Sequence, residues 1–354
     1  MKIVTLYNHK GGVSKTTSTF NLASYLAEAG RKVLMVDADP QCNLTEIALA
    51  QLIEKMDAAA VAANVANVAD LPGTSVLDAL NQRIQGDIAF IDIDKIETIQ
   101  IRDNLQLLKG SVDLSSIEDE LSEAHLQRLA MRTNLMRTYV ATGDFLSRLA
   151  TKLELDYIFI DVGPSSGALT RSFFLVCDAF FVPVAPDRFN VQAVATLAKI
   201  VDRWMTEHAL VKKQYEDLGL PIRSGTPAFL GAIIQAFKFY AGAPKPGFKL
   251  WMDRLPKEIV RHLGPALEKH SKSTKLYLPT SAQPIVAEIP DFNQLAPLMQ
   301  EVGKAVFSIK QEDTARITPT GKPWAGNNWT QAQTRMTDYR QRFQGIAAVL
   351  ENLA

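Results

Sequence analysis

Nine residues, His9–Thr17, read His-Lys-Gly-Gly-Val-Ser-Lys-Thr-Thr. Adjacent glycines followed by a lysine and two hydroxyl residues are the parts of an anion cradle. Gly11 and Gly12 let the backbone close around a phosphate, and the N–H groups at a following helix start point into that space. Val13, Ser14 and Thr17 complete the loop that would wrap it. Lys15 is placed to reach the β- and γ-phosphate oxygens of a nucleotide, and the Thr16 hydroxyl suits Mg²⁺. The strict P-loop spacing is not met, because His9 and Ser14 stand at its two glycine positions.

Two carboxylate sites could share that ligand. Lys32–Asp37 reads as a buried strand running into Asp37-Ala38-Asp39-Pro40-Gln41, and Asp156–Asp161 is a second apolar run that ends in a carboxylate. Open α/β sheets bind ligands at the carboxyl ends of their strands. Asp161 therefore suits a Mg²⁺ ion beside Lys15.

These groups need a scaffold, and apolar periodicity supplies one. Ile3–Tyr7 is long enough for a buried strand before the glycine loop, while Phe20, Leu22, Ala23, Leu26 and Ala27 recur at helical spacing after it. Further strands are predicted at Leu105–Leu108, Ala179–Val184 and Phe229–Ala236. An acidic helix follows Leu114, with Glu118, Asp119, Glu120 and Glu123. A long helix is expected over residues 125–153, and another from Val191. Strands alternating with helices predict a doubly wound α/β protein with a mostly parallel sheet flanked by helices. The segment 46–103 is read as a variable insertion: an alanine-rich helix over Asp57–Asp70 (Ala58, Ala62, Ala63, Val65, Ala66), then a small exposed hairpin or acidic flap over Ile84–Ile101 with Asp87, Asp92, Asp94 and Glu97. After a Pro- and Gly-rich linker at Thr318–Asn328, Met336, Tyr339, Phe343, Ile346 and Leu350 form the apolar stripe of a C-terminal helix. That helix is expected to dock on its own core, with a second subunit as the alternative. The division is thus 1–309 for the main domain and 310–354 for linker and helix.

The chain has 354 residues, 47% of them hydrophobic, enough for one large core. Lys+Arg and Asp+Glu are both 38, so no global field draws it to nucleic acid. The charge is uneven, however: residues 199–275 carry 14 basic and 7 acidic side chains. Cys42 and Cys177 are the only cysteines, so neither a disulfide framework nor a thiolate metal site is suggested. With no signal-like apolar segment and no run of spanning length, a cytoplasmic protein is expected.

Lys-Gly-Gly-x-x-Lys-Thr-Thr, with its extra Lys10, resembles the deviant Walker A loop of the ParA/MinD family of ATPases. Asp37-Ala38-Asp39-Pro40-Gln41, followed by Asn43, is similar to the family's second nucleotide motif. The resemblance covers roughly residues 1–45 and 104–309. It implies ATP and Mg²⁺ as ligands and a homodimer closed by ATP, in which Lys10 reaches the nucleotide of the other subunit. It further implies that Asp39 positions the attacking water and Asp37 supports the magnesium shell. Gln235 stands where relatives place an adenine-reading asparagine, and Pro290 and Asp291 resemble the loop along that base. Asp161-Val162-Gly163-Pro164 departs from the family's Asp-x-Pro-Pro, since Gly163 replaces the first proline.

By the same resemblance, the basic stretch implies non-specific duplex DNA binding, with Lys245, Lys249 and Lys257 as contacts and Phe237, Phe239, Tyr240, Phe248 and Trp251 interleaved. A partner protein of ParB-like role would trigger hydrolysis, and the protein would move or space a plasmid, chromosome or other cargo, associated with the nucleoid while DNA is bound. No membrane role is expected, because Glu351-Asn352-Leu353-Ala354 lacks a basic amphipathic tip. Two other readings stay open: a switch subunit of a non-DNA assembly, and a nucleotide-dependent clamp with little turnover.

Overall fold

The computed structural model describes residues 1–62, 70–86, 88–240, 243–271, 275–279 and 283–353. Ala63, Val65, Ala66 and Asp87 lie outside them. Strand β1 (Lys2–Leu6) leads through the glycine loop into α1 (Lys15–Glu28), then β2 (Val33–Ala38), α2 (Asn43–Ala62) and α3 (Val76–Ile84). Strands β3 (Ile99–Arg102) and β4 (Leu105–Leu108) precede α4 (Glu118–Leu126), α5 (Thr133–Lys152), β5 (Tyr157–Val162), α6 (Ala168–Leu175) and β6 (Ala179–Val184). There follow α7 (Arg188–Asp217), β7 (Ala228–Phe237), the short pair β8 (Phe239–Tyr240) and β9 (Ala243–Pro244), α8 (Pro246–Met252) and α9 (Leu255–Glu268). The chain closes with β10 (Ile285–Pro290), α10 (Leu295–Val302) and α11 (Gly326–Glu351).

Eight strands form one sheet in the order β10-β7-β6-β1-β5-β2-β4-β3, and only the β3–β4 pairing is antiparallel. The inner strands read as unbroken apolar runs because both faces are covered. Ile3, Leu34, Val36, Ile158 and Ile160 point into one core with α3, α5, α6, α7 and α9. Val4, Leu6, Val33, Met35 and Phe159 point into the other, with α1, α2, α10 and α11. From β1 the chain first winds to β2 on one side, and later crosses from β5 to β6 on the other. Such a reversal leaves a crevice at the carboxyl ends of β1 and β5.

Several elements differ from the sequence reading. The helix expected over 125–153 is broken at 127–132, where Met131 takes a φ of 54°, a left-handed conformation that ends one helix before α5 begins. The acidic hairpin is not at Ile84–Ile101. Ile91 and Ile96 are buried pegs into the core rather than one face of a strand, and the hairpin is formed by β3 and β4. The final helix covers its own core: Met336, Tyr339, Phe343, Ile346 and Leu350 are buried against the α1 side of the sheet. Arg340 pairs with Glu28, and Arg31 with Glu351. Among the described residues no helix is long and apolar enough to cross a membrane.

Candidate functional site: a phosphate cradle and its base pocket

The loop between β1 and α1 is shaped by two left-handed residues, Gly12 (φ 71°) and Ser14 (φ 57°). Glycine adopts this conformation freely, whereas an L residue such as Ser14 costs roughly 1 kcal/mol there. Alternation of hand turns successive N–H groups inward, which makes an anion nest at the start of α1. Asn8, an inconspicuous residue in the sequence, holds the arch. Its Nδ2 donates to the Pro183 carbonyl at the end of β6 (2.8 Å), and its Oδ1 accepts from Lys10 N (3.0 Å). Tyr7 Oη donates to the Ser165 carbonyl (3.1 Å), tying the turn after β5 to β1.

Lys15 is 7% exposed, and its ammonium donates to the carbonyls of Lys10 (3.0 Å) and Asn8 (3.2 Å). Burial pushes its pKa down, against the opposing pull of Asp161 and Asp39. With Thr16, Thr17, Asp39 and Pro164 it lines a cavity of about 670 Å³. The half-buried Lys10 side chain is not part of that wall. Three further walls were not found in the sequence: Glu46 from α2, and Gln300 and Glu301 from α10. They lie on elements far apart in the chain, and only the packing of α10 on α2 brings them to the loop.

Asp37 and Asp161 are register partners on neighbouring strands β2 and β5, yet their surroundings differ. Asp37 is fully committed: its Oδ2 accepts from Thr45 N (2.8 Å) and Thr45 Oγ1 (2.6 Å), which fixes the start of α2. Burial outweighs those bonds and pushes its pKa up to about 6. Asp161 is wholly buried, and neither carboxylate oxygen has a hydrogen-bond partner among the described residues. Burial first, then the Asp37 charge, hold its pKa well above the usual carboxylate range; Thr16 and Lys15 act in the other direction. The Thr16 hydroxyl lies near enough to favour the charged carboxylate. An orphaned buried carboxylate beside a hydroxyl fits Mg²⁺. Among the described residues no cluster of three or more His, Cys, Asp or Glu side chains could cage a metal. Mg²⁺ is usually held by one or two protein oxygens together with phosphates and water. Asp161 and Thr16 would hold the ion directly, with Asp37 behind them, and the ion would neutralise phosphate charge. Asp39, 6% exposed, lies on the cavity wall, its Oδ1 accepting from Gln41 N (3.0 Å). Neighbouring Cys42 has its thiol pKa pushed up to about 12, mainly by burial, so it is not a reactive thiolate.

Beyond Ser14 and Thr17 lies a smaller pocket of about 150 Å³, walled by Gln235, Pro290, Asp291 and Phe292. The three residues expected at the base are thus brought together, one step from the phosphate cradle. The C-terminal helix supports this pocket: Tyr339 Oη donates to the Asp291 carbonyl (2.9 Å), and its ring packs edge-on to Phe292.

Of the basic stretch, Lys245 precedes α8, Lys249 is one turn further, and Lys257 is on α9; all three are exposed. Lys249 is paired with Asp253 (2.7 Å) and Lys238 with Asp291 (3.8 Å). The interleaved aromatics divide. Phe237 is buried, whereas Phe239 and Tyr240 stand exposed on the β8–β9 pair.

A strand–loop–helix phosphate cradle, with carboxylates at the ends of two adjacent parallel strands, defines a P-loop nucleotide-binding protein. Comparison with known proteins agrees. The AAA_31 family model, described as an AAA domain, matches residues 1–214, and the chain belongs to that family as a P-loop ATPase of ParA/MinD type. The sporulation initiation inhibitor protein Soj of Bacillus subtilis is 27% identical over 280 residues, covering 79% of this chain and 92% of that protein. The chromosome-partitioning ATPase Soj of Treponema pallidum is 29% identical over 203 residues, 57% of this chain and 64% of that one. Among solved structures, a Corynebacterium diphtheriae protein superposes with a TM-score of 0.60 at 28% identity, covering 78% of this chain and 92% of its own. A Borrelia burgdorferi plasmid partition protein bound to AMPPNP shares the fold over the whole chain (TM-score 0.55, 18% identity, 100% and 99% covered).

Proposed function

We propose that the chain is an ATP-driven dimerising switch that binds duplex DNA without sequence preference and positions a DNA cargo with a ParB-like partner protein. The observation that carries the switch is the split between two lysines of one loop: Lys15 lies inside its own cavity, Lys10 outside it. A cation that does not serve its own site is available to a second copy's site. Water, oriented by Asp39, would attack the γ-phosphorus as the bond to the β-phosphate oxygen breaks, giving ADP and phosphate. Lys15 and Lys10 would stabilise the charge spread over the transferred group. The similar proteins named for chromosome partitioning support the cargo reading.

Gly163 belongs to this mechanism. A Cβ built there would stand 3.1 Å from Asp39 Oδ1 and 3.3 Å from its Cγ. Its φ lies outside the left-handed region, so alanine is tolerated by the backbone, and only the Asp39 carboxylate must move. Gly163→Ala is expected to lower kcat about tenfold while leaving the Kd for ATP unchanged, since small misplacements of a positioning group act on rate. An unchanged kcat in steady-state assays would count against Asp39 as the water-positioning group.

For DNA, the support is the exposed lysines with Phe239 and Tyr240 beside them. Two such faces in a closed dimer share one duplex, so binding should require ATP and rise far more than twofold. It should also fall steeply with salt. Replacing Lys245, Lys249 and Lys257 together with glutamate should abolish duplex binding in a fluorescence-anisotropy titration while ATP binding persists. The ion pairs of Lys249 and Lys238 favour a second reading, in which this face meets a protein and the switch serves a non-DNA assembly. Absence of duplex binding at low salt with ATP would select it.

A further inference from the structure

Gln235 near the end of β7 is 2% exposed, and the two ends of its amide are treated differently. Oε1 accepts a hydrogen bond from Ser18 Oγ at 2.7 Å, whereas Nε2 has no partner among the described residues. Ser18 is 1% exposed and sits on the first turn of α1, so this bond ties the phosphate-binding helix directly to the base pocket. A buried donor left unmatched costs about 1–3 kcal/mol. In a pocket wall it marks a place where a ligand's acceptor completes the structure.

The backbone at this point is also unusual. The pairing of β7 with β10 slips between Gln235 and Phe237, and the extra residue, Ala236, takes a φ of 58°. Bulges of this kind re-aim neighbouring side chains beside functional sites, and alanine adopts that conformation at a cost. The acceptors of the opposite loop are already engaged. The Asp291 carbonyl accepts from Tyr339 Oη and Asn293 Nδ2, and its Oδ1 accepts from Asn293 N.

A free amide offers a donor and an acceptor together, and so can pair with the amino group and a ring nitrogen of adenine at once. Here Oε1 is already held toward α1 by Ser18, and the end of the amide left unmatched is Nε2. We propose that Ser18 is a positioning residue for base recognition: it turns the Gln235 amide so that only its N–H₂ group faces the base, which is read through an unprotonated purine ring nitrogen and not through the 6-amino group. This inference rests on the nucleotide-binding reading of the P-loop.

The test is a cycle of ligand and protein changes read as Kd. ATP, 7-deaza-ATP, 1-deaza-ATP and purine riboside triphosphate, which lacks the 6-amino group, are titrated against wild type, Gln235→Met and Ser18→Ala, with Mg²⁺–tripolyphosphate as the base-free probe. One deaza analogue should bind wild type about tenfold more weakly than ATP. Gln235→Met should weaken ATP by a similar factor and erase the penalty for that analogue. The amino-less nucleotide should suffer the same Gln235→Met loss as ATP. In Ser18→Ala the ring-nitrogen dependence should collapse while tripolyphosphate binds as in wild type, which a general loss of structure would not produce. Three results would overturn the proposal: coupling between Gln235 and the 6-amino group, no coupling to either ring nitrogen, or full ring-nitrogen coupling in Ser18→Ala. A wild type that binds neither ATP nor tripolyphosphate would overturn the P-loop reading, and this inference with it.

Discussion

Lys15→Ala should reduce ATP affinity by about 10³-fold, the largest effect on binding of any single substitution in the loop. The ammonium is already desolvated and aimed into the cavity by two loop carbonyls, so little ordering cost opposes its contacts with phosphate. Charge-assisted hydrogen bonds are worth about 1.5–3 kcal/mol each, and two of them account for a loss of that size. A second term acts in the same direction. Without Lys15, Asp39 on the cavity wall and Asp161 buried behind it lose the buried cation that both act on. Among the described residues no other lysine or arginine lines the cavity to compensate, and Lys10 stands outside it. Calorimetric titration with Mg²⁺–ATP reads the effect directly, and a cooperative thermal transition in the variant shows that the sheet is intact. Nucleotide affinity equal to wild type would sink the assignment of residues 9–17 as the phosphate cradle.

How far the sequence revealed this site depends on how local each signal is. The glycine loop, the apolar strands ending in Asp37 and Asp161, and the first amphipathic helix are written in short windows, where periodicity and turn chemistry suffice. Ser18 and Asn8 were passed over, and Glu118 was read only as part of an acidic helix, because their importance lies in partners far along the chain. Ser18 meets Gln235, Asn8 meets Pro183, and Glu118 caps α6 through the N–H groups of Ala168 (2.5 Å) and Leu169 (2.9 Å). A serine one turn into a helix gives no hint that its hydroxyl crosses to another strand. The isoleucines at 91 and 96 misled for a related reason, since isolated anchors into a core imitate the alternation of a strand. Gly163 reads in sequence as a loosened turn. In the structure it is the residue whose missing side chain lets Asp39 lie against the end of β5.

Lys10→Ala should leave ATP binding to the single chain nearly unchanged, yet remove the ATP-dependent dimer and slow hydrolysis about 10³-fold. The substitution is unusually clean. The main chain of Lys10 performs the local work, with its N–H donating to Asn8 Oδ1 and its carbonyl accepting from Lys15 Nζ, and alanine keeps both. Only the ammonium is lost, and it does not line its own cavity. A cation supplied across an interface to a transferring phosphoryl group is worth about 10³–10⁵ in rate in related phosphoryl-transfer chemistry, and the lower end suits a lysine, which binds as a point charge without a fork of donors. Because the same ammonium would neutralise the partner's γ-phosphate, its loss should also leave two like-charged sites facing each other and oppose closure. Light scattering coupled to size exclusion with a slowly hydrolysed ATP analogue separates the two variants: Lys15→Ala fails to dimerise because it binds no nucleotide, and Lys10→Ala fails although it is saturated. Dimerisation of saturated Lys10→Ala at wild-type affinity, with hydrolysis unimpaired, would show that Lys10 acts within its own subunit or not at all.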